Sequence, residues 1–154
     1  MDNVDKKILD SLQDDCTVPV AELAANVGLT ATPCWRRVQR LEEDGVIRKR
    51  VALLDPGKVN VGVTVFVTIR TSHHDMKWLR SFTALVTAIP EVVEFYRMSG
   101  QADYLLRIVV PDIAAYDRVY KQLINGTDLS DVTSSFAMEQ IKYTTRLPLH
   151  HAVA

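Results

Sequence analysis

Val4, Ile8, Leu9 and Leu12 recur at helical spacing near the N-terminus, and Val20, Leu23, Ala24 and Val27 repeat the pattern. Cys34, Val38 and Leu41 follow at spacings of four and three, which predicts a third helix with one inward face. The punctuation agrees with this. Pro19 suits the first turn of the second helix and Gly28 a left-handed stop. Thr30 or Thr32 caps the third helix, Pro33 sits in its first turn, and Gly45 ends it. Val46 to Leu54 then reads as a small β-wing or connecting strand, and Asp55-Pro56-Gly57 as a turn between domains. The expected division is residues 1–54 for the first domain, 55–60 for a linker, and 61–154 for a second domain with a C-terminal tail.

The second half mixes two periods. Val61, Val63, Val65, Val67 and Ile69 share a strand face, and Asp75 to Ala88 reads as a helix. Val92 to Met98 and Tyr104 to Val110 are strands around a Ser99–Ala102 turn. Asp112 to Ile124 is an Asp-capped helix and Asp131 to Met138 a last strand. The order βαββαβ predicts a ferredoxin-like α+β fold, an antiparallel sheet with two helices on one face. Val63, Phe66, Phe95, Tyr96, Leu105, Ile108 and Phe136 spread over both faces, so the open face calls for a partner, and self-association is expected.

Composition narrows the class. The chain has 154 residues, is 47% hydrophobic and 24% charged, and carries a formal net charge of −1. That is ordinary for a globular protein. No apolar run approaches the roughly 18 residues of a membrane span, and the acidic start Met1-Asp2-Asn3-Val4-Asp5 lacks a secretory signal core. Cys16 and Cys34 make neither a metal spacing nor a disulfide framework. A cytoplasmic protein is expected.

Charge is local rather than global. Arg36, Arg37, Arg40, Arg48, Lys49 and Arg50 cluster beside Glu42, Glu43 and Asp44. On charge alone a solvated surface explains this stretch. The third helix adds more: with Cys34, Val38 and Leu41 inward, Thr32, Trp35, Arg36, Gln39 and Arg40 point outward. Arg and Gln address guanine and adenine edges bidentately, while Thr and Trp offer apolar contact. Arg37, Arg48, Lys49 and Arg50 are placed for phosphates, and Thr30 and Pro33 open the same DNA-facing end. A helix, a turn and a basic outward helix have the form of a helix-turn-helix.

Enzyme chemistry finds no support. The sequence holds no Gly-rich phosphate loop, no Ser-His-Asp arrangement and no metal-ligand cluster. His73-His74 falls in a loop and His150-His151 in a polar tail, where adjacent histidines point apart. Cys16 reads as a half-buried residue at a helix end. Ser99-Gly100-Gln101-Ala102-Asp103-Tyr104 combines backbone N–H groups, small side chains and a carboxylate. Such a turn suits a zwitterion, with Asp103 on the ammonium and N–H groups on the carboxylate. Thr133-Ser134-Ser135 would close the site from a neighbour. A plain hairpin turn beside an exposed strand remains the simpler reading of these residues alone.

Over almost its whole length the chain resembles the Lrp/AsnC, or feast/famine, regulators. The match is carried by Asp5-Lys6-Lys7-Ile8-Leu9, Leu29-Thr30-Ala31-Thr32-Pro33-Cys34, Arg37-Val38-Gln39-Arg40-Leu41-Glu42, Gly45-Val46-Ile47 and Ser99-Gly100-Gln101-Ala102-Asp103-Tyr104-Leu105-Leu106. Asp131 to Thr145 looks like the branch that includes the regulator of cysteine detoxification. The resemblance implies a winged helix-turn-helix followed by a ligand-sensing, dimerising domain, in dimers that assemble to tetramers or octamers. It implies an amino-acid effector, cysteine or another small amino acid, at interfaces formed by Met98 to Tyr104 and by Thr133 to Ala137, Phe136 included. Asp15-Cys16 departs from the Gly-Arg common after the first helix. The reading is a sequence-specific transcriptional regulator of double-stranded DNA. The alternative is an architectural, DNA-wrapping nucleoid protein without an effector, which a steep salt dependence with little sequence preference would mark.

Overall fold

The computed structural model describes residues 1–73 and 75–153, and these form two compact units. The first comprises Met1–Ala52 together with Lys142–Ala154; the second is Leu53–Ile141.

Three helices build the first unit: α1 (Asn3–Asp14), α2 (Val20–Val27) and α3 (Ala31–Glu43). A reciprocal capping box between Asp2 and Asp5 starts α1. Pro19 is the N-cap of α2, one position earlier than its sequence placement, and Thr30 is the N-cap of α3. Gly28 ends α2 at φ 74°, a left-handed turn that glycine adopts without strain. The three apolar stripes meet in one core of Ile8, Leu9, Leu23, Ala24, Val27, Cys34, Val38 and Leu41.

Two expectations fail here. Residues 46–54 form no strand; Val51, Leu53 and Leu54 are 55%, 62% and 69% exposed. A strand needs a neighbour to take its ladder hydrogen bonds, and the described residues supply none. The C-terminal tail, expected with the second domain, packs on the first unit. Leu149 leans on the helical core. Gln13 and Leu147 exchange side-chain and backbone hydrogen bonds, Lys6 Nζ donates to the Ala152 carbonyl (2.7 Å), and Arg146 pairs with Asp14 and with Asp10 (3.4 Å). Polar anchoring of this kind leaves no periodicity to read.

The second unit holds β1 (Val63–Arg70), α4 (Met76–Thr87), β2 (Val92–Arg97), β3 (Tyr104–Val110), α5 (Ile113–Gly126) and β4 (Asp131–Phe136). The strands form an antiparallel sheet in the order β2-β3-β1-β4, the expected α+β architecture. Val65, Val67 and Ile69 of β1 and Leu106, Ile108 and Val110 of β3 face the helices, packed against Phe82, Val86, Tyr116, Val119 and Leu123. Trp78, Phe82, Phe95 and Tyr104 stack there with centroids 4.9–6.0 Å apart, in the range of favourable aromatic pairs. Phe136, edge-on to Tyr116, joins this covered side.

By strand alternation the other face carries Thr64, Phe66, Thr68 and Arg70 beside Leu105, Arg107 and Val109. Phe66 and Tyr96 are 40% and 49% exposed. Neither helix of the unit covers this face.

Candidate functional site

α3 owes its position to one face and its chemistry to the other. Cys34, Val38 and Leu41 are buried, and burial pushes the Cys34 thiol pKa up from its ordinary value. Thr32, Pro33, Trp35, Arg36 and Gln39 are exposed, Trp35 at 47%. The outward face expected of the sequence is therefore present. Arg36 makes no ion pair or hydrogen bond from its side chain among the described residues.

Arg37, half-buried, and Arg40, exposed, are both engaged by carboxylates at the start of α1. Asp5 of α1 is 1% exposed. Its carboxylate accepts from Arg37 Nη1 at 2.8 Å and from Arg40 Nη2 at 2.8 and 2.9 Å, and Arg37 also reaches Asp2 at 2.6 Å. A buried carboxylate without a cationic partner costs several kcal/mol, so these contacts are demanded by the burial. Sequence reading aimed Arg40 at base edges; the structure turns its guanidinium onto Asp5 instead. The available signal was Asp5 itself, three and four residues before Ile8 and Leu9 and hence on their buried stripe. Backbone hydrogen bonding from Asp5 and the Arg37 guanidinium together hold the Asp2 carboxyl down to about 2. Farther on, Arg50 pairs with Glu42 at 2.9 Å, while Arg48 and Lys49 are exposed.

At one end of the sheet in the second unit, the Ser99–Ala102 turn is bent by Gly100, at φ 119°. Asp103 secures it. Its carboxylate accepts from the Thr71 N–H (2.8 Å), its N–H donates to the Ile69 carbonyl (2.9 Å), and its carbonyl accepts from the Met98 N–H (2.8 Å). Hollows open around this turn, and one of about 490 Å³ sets Asp103 beside Arg70, Thr71, Gly100, Gln101 and Asp131. A cavity of about 100 Å³ is lined by His73, Asp75, Met76, Arg97, Met98, Asp103 and Tyr104 among others. A broader groove of about 600 Å³ brings Gly100, Gln101 and Ala102 beside Thr68, Arg70, Asp131 and Thr133.

The expected effector residues thus divide. Gly100, Gln101 and Thr133 come together, Met98, Asp103 and Tyr104 line the neighbouring cavity, and Ser99 is exposed beside both. Ser134 points to the helix side and hydrogen bonds Tyr116, and Ser135, Phe136 and Ala137 run toward the far end of β4, where Ala137 N–H meets the Thr64 carbonyl. Alternation separates Thr133 from Ser134 across the sheet. Arg70 and Asp131, opposite each other in register, were missed; the signal was Arg70 sharing the parity of Phe66 and Thr68.

The remaining candidates are simpler. His150 and His151 lie in a short 3₁₀ turn with ring centroids 3.9 Å apart rather than pointing apart, because that tight turn brings them together. His73 meets Asp128 at 3.1 Å, and His74 lies outside the described residues. Cys16 is half-buried after α1.

Residues 1–48 match the winged helix-turn-helix DNA-binding family, and residues 64–147 match the Lrp/AsnC ligand binding domain. The chain belongs to the Lrp/AsnC family. It is 54% identical over 150 residues to the DNA-binding transcriptional activator DecR of Escherichia coli, covering 97% of this chain and 99% of that relative. It is 51% identical over 149 residues to the glutamate uptake regulatory protein of Zymomonas mobilis, covering 97% and 91%. An AsnC family transcriptional regulator from Agrobacterium tumefaciens superposes with a TM-score of 0.96 at 64% identity, over 99% of this chain and 100% of that one. A Neisseria meningitidis transcriptional regulator, solved as a complex with L-Met, superposes at 0.93 with 35% identity, over 99% of each chain. This Lrp/AsnC chain is a DNA-binding transcriptional regulator with an amino-acid-sensing domain. No helix among the described residues is long and apolar enough to cross a membrane.

Proposed function

We propose that this regulator reads a specific operator with the outward face of α3 and answers to a small amino acid bound at the turn end of the sheet. The observation that carries the first half is the pairing of a packed inner face, Cys34, Val38 and Leu41, with exposed Thr32, Trp35, Arg36 and Gln39. Arg36 and Gln39 contact base edges; Arg48, Lys49 and the head of α3 at Thr30 contact phosphates. Arg36→Ala weakens binding by about 1–3 kcal/mol if it meets a base edge. Gel shifts on a duplex selected from a random library by the unmodified protein measure this. Unchanged affinity would remove α3 from the interface. Equal binding to scrambled duplexes with a steep salt slope would favour DNA wrapping without sequence reading.

The effector's ammonium pairs with Asp103, whose second oxygen accepts no hydrogen bond among the described residues, and its carboxylate with Arg70 and the turn N–H groups. That effector is cysteine or another small amino acid, held in the hollow that Arg70, Gly100, Gln101 and Asp103 line together. Ser135 to Ala137 lie too far along β4 to join that site in one chain, so they would act from a second copy. The open face with Phe66, Leu105 and Tyr96 is where two copies would pair, in dimers that build tetramers or octamers in the cytoplasm. Effector binding then shifts the population of assemblies and so the spacing of DNA-reading heads. A thermal-shift screen against the twenty amino acids tests this, since a specific ligand stabilises the folded state by mass action. The shift should vanish in Asp103→Ala and in Arg70→Gln; a shift that survives both would place the effector elsewhere.

A further inference from the structure

α3 carries Arg36, Arg37 and Arg40 within little more than one turn. Residues four apart are neighbours on a helix surface, so Arg36 and Arg40 should form one cationic stripe. Such a stripe binds any phosphate backbone and adds affinity without information.

The structure divides the three. Arg40 gives one nitrogen to both oxygens of Asp5, at 2.8 and 2.9 Å, and Arg37 bridges Asp5 and Asp2. Asp5 is 1% exposed, whereas the Arg40 side chain is 52% exposed. The guanidinium therefore lies within reach of water and is tethered by the carboxylate rather than by packing. Arg36 is left as the untethered guanidinium of the helix among the described residues.

We propose that Asp5 is a positioning residue for DNA recognition. By drawing Arg40 off the outward face, and Arg37 with the help of Asp2, it leaves reading to Thr32, Trp35, Arg36 and Gln39 and suppresses sequence-blind phosphate binding. The inference rests on the assignment of α3 to the DNA interface.

Asp5→Asn is the direct probe. The amide oxygen can still accept from the Asp2 N–H, as Asp5 does at 3.1 Å, so the start of α1 keeps a cap. The amide carries no charge to hold Arg40. A guanidinium that lands on a phosphate steepens the dependence of log affinity on log salt by about 0.9. Fluorescence anisotropy with the full chain, in 50–300 mM NaCl, would use two duplexes: one selected from a random library by the unmodified protein, and a scrambled control. Asp5→Asn should steepen the slope by about 0.9 for each head engaged and bind the scrambled duplex severalfold more tightly at low salt. The ratio of selected to scrambled affinity should fall. Adding Arg40→Ala to it should restore the original slope, which a merely structural role for Asp5 would not do. Arg40→Ala alone should leave slope and ratio close to those of the unmodified protein, and this arm decides if Asp5→Asn fails to fold by circular dichroism.

A slope that is unchanged or shallower in folded Asp5→Asn overturns the proposal. So does a slope reduced by about 0.9 per head in Arg40→Ala, which would mean that Arg40 already sits on a phosphate. Arg36→Ala runs beside them. If it fails to weaken binding to the selected duplex, the assignment of α3 is at fault; if it weakens binding while the Asp5 arms fail, the fault lies with the tether.

Discussion

The two units solve the same problem, fixing a functional surface, by different means. In the second, the strands that carry the effector surface are held from behind by an apolar and aromatic layer centred on Phe82, Tyr104 and Leu106. In the first, the core is smaller, and α3 is additionally tied to α1 through a buried carboxylate and two guanidiniums. Apolar packing holds position under most solution conditions, whereas a charge network responds to salt and acid. The contrast teaches where each surface can be adjusted: the effector surface by volume, the DNA-reading surface by charge.

Removing volume gives the largest expected effect. Phe82 is fully buried and touches Trp78, Phe95 and Tyr104. Phe82→Ala should cost about 3–5 kcal/mol, read by urea denaturation with tryptophan fluorescence, since Trp78 lies against the lost ring. A loss below about 1 kcal/mol would mean that the aromatic layer does not hold the sheet.

The next test applies the same logic to the first unit. Cys34 is fully buried between α3 and the other helices, and Cys34→Ser places a hydroxyl among apolar neighbours. An unsatisfied buried hydroxyl costs about 1–3 kcal/mol. The raised thiol pKa adds a second readout. A thiol reagent should label half-buried Cys16 well before Cys34 in the folded protein, because the thiolate is the reactive species. Equal labelling rates would show that the core opens readily.

What was legible in the sequence follows the same division. The helical stripes and alternating strands came through because burial imposes a period on apolar residues. Gly28 and Asp112 could be placed because turn and cap chemistry is local. The clasp was missed because Asp5 is a charge standing in an apolar stripe, and its partners lie more than thirty residues away. The tail was missed because backbone carbonyls and exposed ion pairs hold it. The strand expected after Gly45 is absent because a short apolar stretch shows only the capacity to pair, and no neighbouring strand among the described residues takes its hydrogen bonds. The effector set was legible as two segments, but strand parity and length divide them in one chain, and Arg70 enters only through the register of β1 with β4.

The tail offers a smaller test of charge. Arg146, Asp10 and Asp14 are each about half exposed or more, and such surface pairs contribute about 0–1 kcal/mol. Arg146→Ala should therefore lower the stability of the first unit by less than about 1 kcal/mol. Hydrogen exchange of α1 amides should rise by no more than about fivefold, given that about 1.4 kcal/mol is tenfold. A larger effect would mean that the tail is part of the folding core of this unit.

The smallest effect separates the two units most cleanly, through a pair of N-cap aspartates. Asp2 caps α1 and Asp75 caps α4, and both carboxyls sit below the usual range. The causes differ. Asp75 leans first on the Trp78 N–H and also on that of Lys77. Asp2, held down to about 2, leans first on the Asp5 N–H and next on the Arg37 guanidinium. A depressed carboxyl contributes stability that is complete above its unfolded pKa and is lost as pH falls through the folded one. For Asp2 that window runs from 3.8 down to about 2. Asp2→Asn should flatten the dependence of stability on pH there by up to about one proton. Salt then distinguishes the units, because screening weakens an exposed ion pair more than a hydrogen bond to the backbone. Raising NaCl to about 1 M, where the screening length falls to about 3 Å, should move the Asp2 carboxyl upward more than that of Asp75 in an NMR titration. If Asp75 moves as far as Asp2, the guanidinium is a bystander, and the first unit is held by hydrogen bonds and packing like the second.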